Sequence, residues 1–170
     1  MTIEELNLAP IAKAAATALK AKHPQIEFTS GRRDIRQQAH AMAGNIVALR
    51  DRKWIGKTYL AAAKCQVCVD QNPGAVTVDA LTDLLEETMR AMPEDELMKI
   101  SRHLTGRAFD VRPVTANAEA IKATIRSLPG LHKFLDREGG HVRWHAQFQL
   151  VKPITRVSAL ENLDRPYSRD

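Results

Sequence analysis

The chain has few cysteines, few aromatic residues and no long apolar run. Only two of its 170 residues are cysteine, Cys65 and Cys68 in KCQVC, too few for a disulfide scaffold. Nothing approaches the roughly 18 consecutive apolar residues of a membrane span, so none is expected. The opening MTIEELNLAP is acidic and lacks the basic start and apolar stretch of a secretory signal. Synthesis in the cytoplasm without a signal peptide is therefore the expectation. Aromatic residues make up 5%, which leaves a core built mainly from aliphatic side chains. No internal repeat or low-complexity segment is visible.

What remains is the composition of an ordinary globular protein, 44% hydrophobic and 26% charged. A length of 170 residues suits a single domain, 1–170, able to bury its own core. The formal net charge of +5 and a pI near 9.4 favour polyanionic surroundings such as nucleic acid, anionic membrane or bacterial wall polymers. No aromatic and basic interleaving marks a nucleic-acid surface, so no nucleic-acid partner is expected. A monomer is expected.

Hydrophobic spacing predicts helices over 10–22 (Ile11, Ala15, Leu19), after Gly31 (Ile35, Ala39, Met42, Ile46, Leu49), over 81–92 and over 116–128. QIEFTS at 25–30 reads as a short strand. Residues 56–76 read as irregular, 131–137 as a short helix, and the polar tail after Lys152-Pro153, about 153–170, as loosely held. Two further strands stand out. In HVRWHAQFQL, 141–150, the even positions are Val142, Trp144, Ala146, Phe148 and Leu150, and the odd ones are His141, Arg143, His145, Gln147 and Gln149. That unbroken alternation predicts one face on a core and one carrying polar groups. In GRAFDVR, 106–112, Phe109 and Val111 share one face while Ala108 and Asp110 share the other.

The polar faces carry ligand-type residues. A catalytic zinc site uses three protein ligands from His, Asp, Glu or Cys and keeps a position open. Asp110 projects from its strand, His103 lies on the loop before it, and Gly106 permits the turn that returns His103 to Asp110. The third ligand is expected from the other strand. His141 and His145 stand about 13 Å apart along an extended chain, at about 3.3 Å per residue, so only one of them serves. Glu138 in EGGH, three residues before His141 across a Gly-Gly bend, favours His141 as ligand. Glu138 is then the base that takes a proton from water and passes it to the leaving amine. His145 is left as a residue behind the site or facing substrate, the reverse assignment being the alternative. Arg143 shares the polar face with His141 and is a candidate for a substrate carboxylate.

Ser101, His103, Gly106, Ala108 and Asp110 together match S-x-H-x-x-G-x-A-x-D, and the chain thereby resembles the D-alanyl-D-alanine carboxypeptidase family of zinc peptidases. That group includes phage endolysin peptidases, cytoplasmic D-Ala-D-Ala dipeptidases and, by structure, the Hedgehog signalling domain. Glu138 and His141 look like the family's E-x-x-H segment. Ser30-Gly31-Arg32-Arg33 looks like its S-G-x-R, which would make Arg33 the arginine that helps hold the scissile carbonyl. The motifs occur in family order and span most of the chain. The resemblance implies an α+β fold with a small antiparallel sheet packed by helices, one Zn²⁺ ion, and hydrolysis of stem peptides in bacterial peptidoglycan. Ser101 would orient the site or touch substrate.

The expected function is a phage-type endolysin, released from the cytoplasm to act at the host cell wall during lysis. The alternatives are a cytoplasmic D-Ala-D-Ala dipeptidase or carboxypeptidase, and a non-catalytic zinc-binding module of the same fold. Gly139-Gly140 departs from the bulkier pair common between the family's Glu and His. Cys65 and Cys68, without a second pair, read as thiols with no metal or redox role.

Overall fold

The structure is a computed structural model that describes residues 1–138 and 141–149, with Glu138 and His141 described by their backbone. The expected tail, 153–170, lies outside the described residues. Seven helices and four strands follow in the order α1 (Pro10–Lys22), β1 (Phe28–Ser30), α2 (Ile35–Leu49), α3 (Trp54–Thr58), α4 (Ala63–Gln71), α5 (Val78–Arg90), α6 (Glu94–Ile100), β2 (Ala108–Val111), α7 (Ala118–Arg126), β3 (Leu131–Glu138) and β4 (His141–Phe148). The strands form one antiparallel sheet in the order β1-β2-β4-β3. The α+β class with a small antiparallel sheet is thus as expected.

Local chemistry accounts for the longer elements. Pro10 opens α1, where a missing N–H costs nothing. The Asp34 carboxylate accepts from the Gln37 N–H while the Gln37 side chain accepts from the Asp34 N–H, a capping box that starts α2. The Thr77 hydroxyl accepts from Ala80 N–H at the head of α5. Two segments depart from the sequence expectation. Residues 56–76 contain helical turns, α3 and α4, and 131–137 is a strand. Leu131, Phe134 and Leu135 have the spacing of a helical stripe, but pairing with β4 dominates and irregularities at 131/133 and 135/137 absorb the mismatch.

Two hydrophobic clusters result. One gathers Ala39, Met42, Ile46, Leu81, Leu85 and Met89 with side chains of α3, α4 and α6. It includes Cys65, whose thiol burial pushes up to about 11, with Cys68 nearby adding to the shift, in keeping with an inert core thiol. The other lies on one face of the sheet, where Phe109, Val111, Trp144, Ala146 and Phe148 meet Leu19 of α1 and Ile121 and Ile125 of α7. Phe109 stacks against both Phe28 and Phe148, with ring centroids 5.3 and 5.2 Å apart.

The period-two alternation therefore holds from Trp144 to Phe148, while Val142 is exposed and Leu150 lies outside the described residues. The opposite face of β2 and β4 carries Ala108, Asp110, His145 and Gln147. The N-terminal segment locks onto this face through Gly31. A Cβ there would stand 2.3 Å from the Leu6 carbonyl oxygen, and that oxygen accepts from Arg32 N–H at 2.8 Å. Only glycine allows so close an approach of two backbones. Gly31→Ala should destabilise the protein by roughly 1–3 kcal/mol, measurable as a lowered midpoint in urea.

Candidate metal centre

Three buried side chains converge on the polar face. Antiparallel register sets Asp110 of β2 directly opposite His145 of β4. The loop after α6 delivers His103, tied down by two bonds to its carbonyl, from Gly106 N–H at 3.0 Å and Arg33 N–H at 3.1 Å. Gly106 makes that return turn at φ 67°, in the left-handed region that favours glycine. His103, Asp110 and His145 are each no more than 3% exposed.

Their facing atoms form a compact triangle. His103 Nε2 lies 3.3 Å from His145 Nδ1 and 3.5 Å from Asp110 Oδ1, while His145 Nδ1 donates to Asp110 Oδ1 at 2.7 Å. A tetrahedral ion with bonds of about 2.0–2.1 Å separates its ligand atoms by about 3.3–3.4 Å. Two edges of the triangle already have that length. The third opens by about 0.6 Å when a cation replaces the proton between Asp110 and His145. All three ligand atoms lie within 4.8 Å of one another, so the residues fit a divalent ion.

Supporting groups fix each ligand. His103 Nδ1–H donates to the Gly31 carbonyl at 2.6 Å, which leaves Nε2 with its lone pair toward the centre. Arg33 Nη2 donates to Asp110 Oδ2 at 3.2 Å, holding the carboxylate by its far oxygen. The Gln147 side-chain amide lies 2.9 Å from His145 Nε2. Such outer partners set tautomer and aim in metal sites. Burial lowers the pKa of the His103 imidazole, against the pull of Asp110, and keeps it neutral. Burial alone would raise Asp110, but the adjacent imidazoles of His103 and His145 outweigh it and hold the carboxyl well below its usual range. Neutral imidazole beside carboxylate is the protonation state a metal requires.

The backbone register turns the choice of third ligand from His141 to His145. Among the described residues it is His145 that completes the cluster, because the register places it opposite Asp110, whereas the backbone of His141 pairs with Glu138 at the turn end of the β3–β4 hairpin. The side chains of Glu138 and His141 lie outside the described residues, so the base assigned to Glu138 stays a proposal. Arg33 also departs from expectation. Its guanidinium bonds Ser30 Oγ, Gln38 Oε1 and Asp110 Oδ2, so it braces a ligand rather than facing a substrate carbonyl. Ser101 Oγ accepts from His103 N–H at 3.3 Å, a bond that shapes the ligand loop. Arg143 lies on β4 two residues before His145.

A cavity of about 470 Å³ opens above the cluster, walled by residues 57–61, the end of α6 with the loop after it, and β3 and β4. His103 and His145 form part of its floor, so an ion held there would face the cavity. Sequence reading missed the Gly31 carbonyl, Gln147 and the β3 wall. Gln147, two residues from His145 on an alternating strand, was the one with a visible signal.

No family model matches the chain, and comparison with curated proteins and with solved structures gives no match.

One equivalent of Zn²⁺ should raise the melting temperature, since a ligand at 100 times its Kd adds about 2.7 kcal/mol. His145→Ala, His103→Ala and Asp110→Asn should each abolish that rise in calorimetry, whereas His141→Ala should retain it. The depressed pKa values of His103 and Asp110 give one sign of pH dependence. Their stabilisation of the metal-free protein is present above the unfolded-state pKa values, about 6.5 and 3.9, and is lost as pH falls below each. Urea midpoints taken between pH 8 and 4 should therefore decline toward acid.

Proposed function

We propose that the protein is a metal-dependent peptidase that hydrolyses amide bonds in the stem peptides of bacterial peptidoglycan, as a phage-type endolysin does. One observation carries this reading. A buried His, Asp and His triangle of tetrahedral dimensions lies beside an open cavity that His103 and His145 help to line, and two of its members lie in the signature that resembles the D-alanyl-D-alanine carboxypeptidase family. A wall polymer rich in carboxylates also suits a chain of net charge +5.

On this reading His103, Asp110 and His145 hold one Zn²⁺ ion, and Gly31, Arg33 and Gln147 keep those ligands aimed. A bound zinc ion supplies Lewis acidity, lowering the pKa of a water toward about 7 and polarising a carbonyl. Glu138, at the turn between the two strands that wall the cavity, takes the proton from the attacking water and returns it to the amine nitrogen. Such proton transfer contributes about 10²–10⁴ in rate. Arg33 acts through Asp110, keeping the carboxylate from turning away.

A second reading, a zinc-binding module without catalysis, draws on a different observation. Among the described residues the cavity wall holds no carboxylate, so Glu138 alone is assigned the base's role.

Incubation with purified sacculi, followed by mass spectrometry of the released muropeptides, tests the proposal. Cleaved stem peptides with zinc and none with chelator are expected, and free D-Ala-D-Ala should remain intact. Glu138→Gln should cut the rate by about 10²–10⁴ while retaining zinc. No release under any metal condition would overturn the peptidase reading and leave the binding module.

A further inference from the structure

The wall of the cavity is cationic on three sides. Lys133 and Arg137 lie on β3 on either side of Leu135, the residue whose register partner is His145. Their register partners are Gln147 and Val142, two and three residues from His145, which at about 3.3 Å per residue places one cation some 7–10 Å to each side of the level of His145. Arg102 adjoins His103 and also lines the cavity. Among the described residues none of these three has an acidic partner, whereas Lys57 and Lys99, which line the cavity as well, pair with Asp51 and Asp95 at 2.7 and 3.0 Å.

A solvated helix or strand surface mixes charges of both signs, and this molecule does so elsewhere, as in the Arg36, Asp83 and Glu86 cluster. Among the described residues the cavity wall does not. Like charges around a concave site raise the local concentration of anions, and a guanidinium offers a carboxylate a forked pair of donors.

We propose that Lys133, Arg137 and Arg102 form a carboxylate-recognition ring around the metal centre, so that the preferred ligand is an anionic peptide with free carboxylates on both sides of the amide held at the floor. This rests on the reading of the cavity as the substrate site. It separates stem peptides with a free glutamate α-carboxylate from those in which it is amidated. Lys133 and Arg137 determine specificity and take no part in bond breaking.

Two synthetic N-acetylated tripeptides without basic groups serve as probes, L-Ala-γ-D-Glu-L-Ala with both carboxylates free and its neutral counterpart with both carboxylates amidated. Isothermal titration at low salt should show the acid form binding roughly ten-fold tighter, with the difference shrinking in high salt. Lys133→Met with Arg137→Gln should erase the discrimination. Lys13→Met, on α1 away from the cavity, should leave it intact. Both β3 residues are exposed, so the double variant should melt as the parent does. Equal binding of the two peptides, or discrimination that survives the double variant, overturns the ring, even where both peptides are cleaved. Discrimination that is lost in the double variant supports the ring, even where neither peptide is cleaved and the peptidase reading has failed.

Discussion

The structure depends on one cross-strand pair, Asp110 opposite His145. Residues directly opposite in an antiparallel ladder share a face, so this register commits a carboxylate and an imidazole to the same side of the sheet. Both are buried, and an isolated buried carboxylate costs several kcal/mol. The cost is offset only because each Asp110 oxygen has its own partner, His145 on one and Arg33 on the other. Arg33 in turn is fixed by Ser30 and Gln38, and His103 by the Gly31 carbonyl. Loss of any member strands a neighbour without a partner, which makes such networks stronger than their pairwise parts. The same bonds stabilise the fold and aim the candidate ligands.

The two hydrophobic clusters explain why a cavity forms at this point. The sheet packs its aromatic face on α1 and α7, while the helical cluster built on α2 and α5 supports α3, α4 and α6. The polar sheet face and the end of α6 meet where neither core extends, and the floor is closed by hydrogen bonds rather than by apolar contact. β3 is an edge strand, and charges are the usual protection of an edge against stray pairing. Lys133, Asp136 and Arg137 supply them, and Lys133 and Arg137 line the cavity besides. One set of residues therefore serves both the sheet edge and the wall.

Much of this was legible in local patterns, and the failures have a common cause. The helices with strong stripes, the alternation of 141–150 and the two-faced strand around Asp110 each depend on side chains a few residues apart. Selection between His141 and His145 depends on the register of β4 against β2, a contact between segments 35 residues apart, and the spacing of Glu138 to His141 pointed to the wrong end of the strand. Arg33 was expected at a substrate carbonyl, whereas its bonds to Ser30, Gln38 and Asp110 depend on Gln38, one turn into α2. In 131–137 the apolar residues satisfy a helical stripe as well as a bulged strand, and only the partner strand decides between them. The segment 56–76 carries too little amphipathic pattern to announce α3 and α4.

Charge bookkeeping would link a metal held at this centre to the ligand proposed for the cavity. Asp110 and Arg33 cancel, and an imidazole ligates a metal in its neutral form, so the three-residue cluster with its brace would add no net charge to a bound ion. A divalent cation then brings its full charge into a cavity already walled by Arg102, Lys133 and Arg137. Coulomb repulsion between like charges a few ångströms apart is modest in water but grows as solvent is excluded. An anionic peptide entering the cavity relieves that repulsion, so cation and carboxylates favour each other's binding, and by linkage the effect is equal in both directions. Neutral peptides gain nothing from it. On the proposed reading, selectivity for acidic stem peptides would then follow from how a metal is held in this arrangement of charge, and not from contacts to the scissile bond.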